Sequence, residues 1–148
     1  MENYSIDNLS VIQQEYIETI YSLCKDHEHA HTKDIADKLN VRMPSVVDAL
    51  QNLAKLDMIN YETRQPVTLT QNGKEIAAVL NSKHKILADF FSSVLGFEKE
   101  YSEKTACSLE HVVDEKFKNR ISALNAFLKD EAISDNILKR FREKYESI

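Results

Sequence analysis

Apolar positions recur at helical spacing over most of this chain, and the breaks between the stripes outline its elements. Val11, Tyr16, Ile17, Ile20, Tyr21 and Cys24 line one side of a first helix, for which Ser10 is the candidate N-cap. The residues before it, Met1 to about Leu9, are polar and read as a loose arm. Lys25 to His31 reads as a solvated loop in which His27, His29 and His31 alternate. Such alternation can bind a metal if the segment is extended, but no nearby cysteine or carboxylate pattern completes a site. Thr32 is positioned to cap a short helix that buries Ile35, Ala36 and Leu39 and is broken by Asn40 and Val41. Pro44 suits the first turn of a second helix, where its missing N–H would have no partner anyway. Val46, Val47, Leu50 and Leu53 give that helix its buried stripe.

A short helix, a tight turn and a second helix with a polar N-terminal end form the helix-turn-helix arrangement, whose second helix enters the DNA major groove. An ordinary helical hairpin would look similar, so the next segment decides. The run Lys55 to Glu62 and the run Val67 to Thr70 are β-prone and flank the polar turn Thr63-Arg64-Gln65-Pro66. That reads as a hairpin, and after a helix-turn-helix a hairpin is the wing of a winged-helix domain. Thr70 then caps a long helix, Gln71 to about Leu95, with Ile76, Ala77, Val79, Leu80, Ile86, Leu87, Phe90, Phe91 and Val94 at helical spacing before Gly96. A helical run from about Tyr101 to Leu128 and a last helix from about Ser134 to Tyr145 follow. Their stripe of Ile121, Leu124, Phe127, Leu128, Ile137, Leu138 and Phe141 is too apolar to stay unpacked, so a second copy of the chain is expected to cover it. A two-fold dimer also matches the way helix-turn-helix proteins read paired half-sites. The expected fold is therefore mainly α, with a winged helix-turn-helix and small β-hairpin wing over 1–75 and a helical linker and dimerisation domain over 76–148.

Composition narrows the class. A chain of 148 residues makes one domain or two small ones, and two Gly, two Pro and no Trp agree with long uninterrupted helices. The net charge of −5 argues against indiscriminate nucleic-acid binding, although a local basic surface can sit on an acidic whole. No apolar run reaches bilayer length and the N-terminus lacks a signal pattern, so the expected location is cytoplasmic with no membrane partner. Cys24 and Cys107 are far apart and do not suggest a disulfide framework.

Candidate chemistry centres on Cys107-Ser108-Leu109-Glu110-His111. In a continuous helix, residues at i, i+3 and i+4 share a face, so thiol, carboxylate and imidazole would project together. Those groups suit metals of graded softness, against the plainer account of a small cysteine with two solvated neighbours. Glu15 and Glu18 are neighbours on the first helix, and His84 lies between Lys83 and Lys85; taken singly, each reads as an ordinary surface residue. For DNA, Arg42, Ser45 and Asp48 stand near the start of the second helix, with Pro44 able to touch a thymine methyl. Lys33 and Arg64 are phosphate candidates. Asp48 can accept from a cytosine amino group, or simply be a helix N-terminal charge that the macrodipole favours.

Taken in order, Glu15-Tyr16-Ile17-Glu18-Thr19-Ile20-Tyr21, Asp34-Ile35-Ala36, Pro44-Ser45-Val46, Leu69-Thr70-Gln71-Asn72-Gly73-Lys74, Lys83-His84 and Ala106 to Val112 resemble the metal-dependent repressors of the diphtheria toxin repressor and manganese transport regulator family. The likeness spans roughly residues 10 to 128. It implies a metal site between the first helix, the linking helix and the first dimerisation helix, built from Glu15, Glu18, His84, Cys107, Glu110 and His111. It also implies a homodimer that binds double-stranded operator DNA when metal is bound, in the short form without the SH3-like third domain. The ligand set mixes the cysteine of the iron branch with the carboxylates of the manganese branch. Thiolate disfavours Mn(II) and carboxylates favour Mn(II) or Fe(II), so Fe(II) satisfies both, while Zn(II), Co(II) or Ni(II) can bind in vitro. Two other classes compete: a winged-helix sensor of a small organic ligand, which needs an apolar pocket, and a metalloenzyme, which needs an open coordination position and a substrate cleft.

Overall fold

A computed structural model of the chain describes residues 6–145, apart from the side chains of Asp7, Asp26, His27 and residues 131–136. The start of the expected N-terminal arm and the side chain of His27 thus lie outside the described residues. Two compact units meet inside one long helix, between Asn81 and Ser82.

The first unit contains α1 (Val11–His27), α2 (Thr32–Leu39), α3 (Met43–Lys55), β1 (Ile59–Asn60), β2 (Thr68–Leu69) and the beginning of α4 (Gln71–Asp89). Ser10 caps α1 reciprocally: its hydroxyl accepts from the Gln13 N–H at 3.3 Å, and the Gln13 side-chain Oε1 accepts from the Ser10 N–H at 2.8 Å. The expected loose arm is tied down at its end, because Leu9 is buried and its carbonyl accepts from the Gln14 side chain at 3.0 Å. The first helix also runs on into the expected loop as far as His27. It stops where Glu28 turns left-handed and returns its N–H to the Cys24 carbonyl. Thr32 proves to be the first residue of α2 rather than its cap; His31 holds the cap position without a side-chain bond.

Asn40, left-handed at φ 53°, makes the tight turn into α3, and Pro44 lies in the first turn of α3 as its missing donor dictates. The three helices bury Ile17, Ile20, Ile35, Val46, Leu50 and Leu53 in one core, which Met58, Val67 and Leu80 close. In the antiparallel wing Ile59 faces Leu69 and Asn60 faces Thr68, while an isolated bridge joins Ala30 to Val67. Thr70 fixes the start of α4: its hydroxyl donates to the Asp57 carbonyl at 2.6 Å and accepts from the Gly73 N–H at 3.1 Å. Gly73 must be glycine for this approach, since a Cβ there would overlap the Met58 carbonyl oxygen.

The second unit holds the rest of α4, a π-helical turn Phe90–Val94, α5 (Lys99–Leu109), α6 (Glu115–Leu128) and α7 (Glu131–Tyr145). The long helix expected to reach Leu95 thus loses α-helical pitch at Phe90, and Gly96, at φ 76°, completes the exit. Leu87, Ala88, Phe91 and Ala106 form a small core. Around it, the Asn125 amide donates to the Ile86 carbonyl at 3.1 Å and Lys129 pairs with Asp89 at 2.8 Å. The last helix begins at Glu131, three residues before the expected start. The stripe expected to pack on a second copy is largely open here: Leu124, Phe127, Ile137 and Phe141 are exposed, and only Leu128 of it is buried. Among the described residues no helix is long and apolar enough to cross a membrane.

Candidate metal centre

The helical run expected from Tyr101 to Leu128 is broken at the residues that matter most. The fifth helix ends at Leu109 with Glu110 as its C-cap, and Asp114 starts the next helix by accepting from the Phe117 N–H at 2.7 Å. Between them the N–H groups of Val112 and Val113 both return to the Leu109 carbonyl, folding the chain into a tight turn. Lys83 of α4 is buried and clamps that turn, donating to the Val113 carbonyl at 2.7 Å. The break falls within the sequence triplet: Cys107 and Glu110 are on helical backbone and His111 is in the turn. Cys107, a turn earlier on α5, is exposed, whereas Glu110 is only 2% exposed. Glu110 keeps helical dihedrals (φ −58°, ψ −30°) and returns its N–H to the Ala106 carbonyl at 2.9 Å, so of the three only His111 lies beyond the regular helix on which the shared face was expected.

What the turn does assemble is a carboxylate between two imidazoles. Glu110 Oε2 lies 2.7 Å from His84 Nδ1, and Glu110 Oε1 lies 3.6 Å from His111 Nε2. The second ring nitrogen of His84, Nε2, meets Glu103 Oε2 at 2.6 Å. Burial works against a charge on His84, but the hydrogen bonds and negative charges of Glu103 and Glu110 outweigh it and hold its pKa above the ordinary 6.5. A buried carboxylate must be paired or must hold a cation. Two histidines converging on it form a nitrogen and oxygen donor set that a divalent transition metal accepts. The residues fit such an ion.

Within the second unit, then, the structure brings His84, Glu110 and His111 together and leaves Cys107 exposed nearby on α5. Glu15 and Glu18 stand a turn apart on α1 of the first unit, the former exposed and the latter half-buried. Glu103 was missed from sequence, although its spacing with Cys107 and Glu110 (i, i+4, i+7) is a helical-face signal. Lys83 carries no sequence signal beyond its place beside His84. His29 and His31 meet edge-to-face, 5.0 Å apart, and with Leu23 and Asp34 line an open depression.

On the nucleic-acid side all six candidates are exposed. Arg42 is the N-cap residue of α3, Pro44 and Ser45 lie in its first turn, and Asp48 follows one turn on. Lys33 is in the first turn of α2. Arg64, left-handed at φ 67°, sits in the turn of the wing.

Residues 8–67 match the family described as iron dependent repressor, N-terminal DNA binding domain, and residues 70–143 match its metal binding and dimerisation domain. The regulator MntR of Bacillus velezensis is 30% identical, over 90% of this chain and 94% of its own length. An uncharacterised helix-turn-helix regulator of Methanocaldococcus jannaschii is 29% identical, over 80% of this chain and 95% of its own. The crystal structure of T. acidophilum IdeR aligns with a TM-score of 0.71 at 27% identity, covering 80% of this chain. The chain spans only 55% of that longer solved protein. These relatives are regulators of transcription and not enzymes. The chain belongs to the iron-dependent repressor family of metal-responsive, DNA-binding transcriptional repressors.

Proposed function

We propose that the protein is a homodimeric, cytoplasmic repressor that binds double-stranded operator DNA when loaded with metal, with Fe(II) as its physiological ion ahead of Mn(II). The observation that carries this reading is Glu110, buried between His84 and His111. Glu15, Glu18 and Cys107 complete the proposed ligand set, supported by the family resemblance of the segments that contain them. Glu15, Glu18, His84, Cys107, Glu110 and His111 would hold the ion, which would supply positive charge and coordinate bonds to them. To hold an ion, His84 would have to be neutral, and the Glu110 carboxylate now facing His84 and His111 would be a ligand oxygen. Arg42, Pro44, Ser45 and Asp48 meet base edges, and Lys33 and Arg64 meet phosphates. Leu124, Phe127, Ile137 and Phe141 supply apolar surface for a second copy. Fixing α1 against the dimerisation helices fixes the separation of the two recognition helices, for which a coupling of about 1–3 kcal/mol is enough.

Preference for Fe(II) follows from a thiolate beside carboxylates, since sulfur disfavours Mn(II). The test is anaerobic titration of metal-free protein with Fe(II) and with Mn(II), against a chelating indicator. Tighter Fe(II) binding that collapses toward the Mn(II) value in Cys107→Asp is expected. Equal affinities in the parent, or no effect of the substitution, would remove Cys107 from the site and the iron assignment with it.

A further inference from the structure

We propose that Glu103 is the positioning residue of the metal centre: it holds the Nε2 side of the His84 ring, so that Nδ1 is the nitrogen offered to the ion. This rests on the reading of His84 as a ligand and deepens it. His84 has two ring nitrogens, and a histidine ligand must present one and keep its proton on the other. In this structure the two edges are not equivalent. Nδ1 points to Glu110, which is buried and lies 3.6 Å from His111; Nε2 points to Glu103, whose side chain is half exposed, at 2.6 Å. The edge that faces other donors is thus the Nδ1 edge, and the edge that faces a lone solvent-side carboxylate is the Nε2 edge.

A carboxylate behind a ligating histidine fixes its tautomer, stops the ring from rotating and makes its free nitrogen a better donor. Glu103 is built for this. It lies in the middle of α5 rather than at a frayed end, four residues before Cys107 and seven before Glu110, so the helix that ends in Glu110 also sets the distance to His84. A ring bound through Nδ1 would carry its one proton on Nε2, where it would donate to Glu103. No change of ring orientation is needed.

The test uses the full-length protein as a Zn(II) complex, chosen because the ion is diamagnetic and leaves the spectrum readable. Zn(II) affinity is measured by competition with a chelator, and the His84 tautomer by long-range ¹H–¹⁵N correlation. Variants are Glu103→Gln, which can still accept from Nε2–H, Glu103→Ala, which cannot, and His84→Ala as the control for the parent reading. Expected are a roughly 10–100-fold loss of affinity for Glu103→Ala with altered His84 nitrogen shifts. Glu103→Gln should stay within a few-fold of the parent and keep the Nε2–H tautomer, with unchanged stoichiometry. If Gln is as damaging as Ala and stoichiometry falls, Glu103 is itself a ligand and the positioning role is overturned. An impaired His84→Ala beside a Glu103→Ala of parental affinity and shifts would likewise overturn it. Parental affinity in His84→Ala would instead defeat the ligand assignment on which it rests.

Discussion

At the scale of single residues, the chemistry turns on Glu110, a carboxylate almost without solvent and therefore dependent on what faces it. Replacing Glu110 or His111 by Ala should lower metal affinity by at least about 100-fold, more than loss of an outer-shell partner costs. The helical circular dichroism of the metal-free protein should persist; wild-type affinity in either variant would remove that residue from the site. His84 gives a pH signature. Its folded-state pKa lies above the unfolded 6.5, so its contribution to stability is complete below 6.5 and is lost as pH rises through the folded value. Chelator-treated wild type should therefore lose more Tm than His84→Gln between about pH 6 and about pH 8. Parallel losses would mean that the carboxylates do not hold the proton. Metal should show the opposite trend, binding more tightly as pH rises, because it displaces that proton. Sequence spacing could point at Glu110 and His111 but not at their partners. The contact of His84 with Glu103 spans 19 residues, a separation at which no local periodicity operates.

At the scale of elements, the winged helix was legible because each piece has its own local signal. Ser10 before an apolar stripe, Asn40 between two short helices, Pro44 in a first turn and Thr63-Arg64 between β-prone runs are all decided within a few residues of themselves. Ser10→Ala should cost about 1 kcal/mol in urea unfolding, and a change much below half of that would mean the capping box adds nothing. Gly73→Ala should cost more, about 1–3 kcal/mol, because overlap with a backbone carbonyl cannot be relieved by a rotamer change. An unchanged midpoint would show that the approach of α4 to Met58 is looser than described. The break between α5 and α6 was not legible. Glu110-His111-Val112-Val113 contains neither Gly nor Pro, and the turn is closed by Lys83 from another helix, a tertiary contact. The same is true of the switch to π geometry at Phe90, for which the sequence carries no evident local signal.

At the scale of the whole molecule, an acidic chain presents a few exposed basic residues, Lys33, Arg42 and Arg64 among them, on its first unit. Lys33→Ala and Arg64→Ala should each weaken binding about equally for all sequences and lower the salt slope by roughly one. A loss confined to one operator sequence would make the residue a base reader instead. Leu124→Asp with Phe127→Asp should convert a dimer to a monomer in sedimentation equilibrium, and a persisting dimer would place the interface elsewhere. The apolar stripe was legible because its spacing is local, Ile121, Leu124 and Leu128 recurring at helical intervals along α6. The central claim is that metal switches DNA binding on, and fluorescence anisotropy tests it most directly. The labelled duplex would be one selected from a random-sequence pool with Mn(II), titrated with protein in Fe(II) under anaerobic conditions, in Mn(II), or in chelator. Tight binding with either metal, lost in chelator and lost in Glu110→Ala whatever the metal, is the predicted result. Equal affinity with metal and with chelator would contradict the switch and leave the buried carboxylate and its histidines a structural feature of the fold.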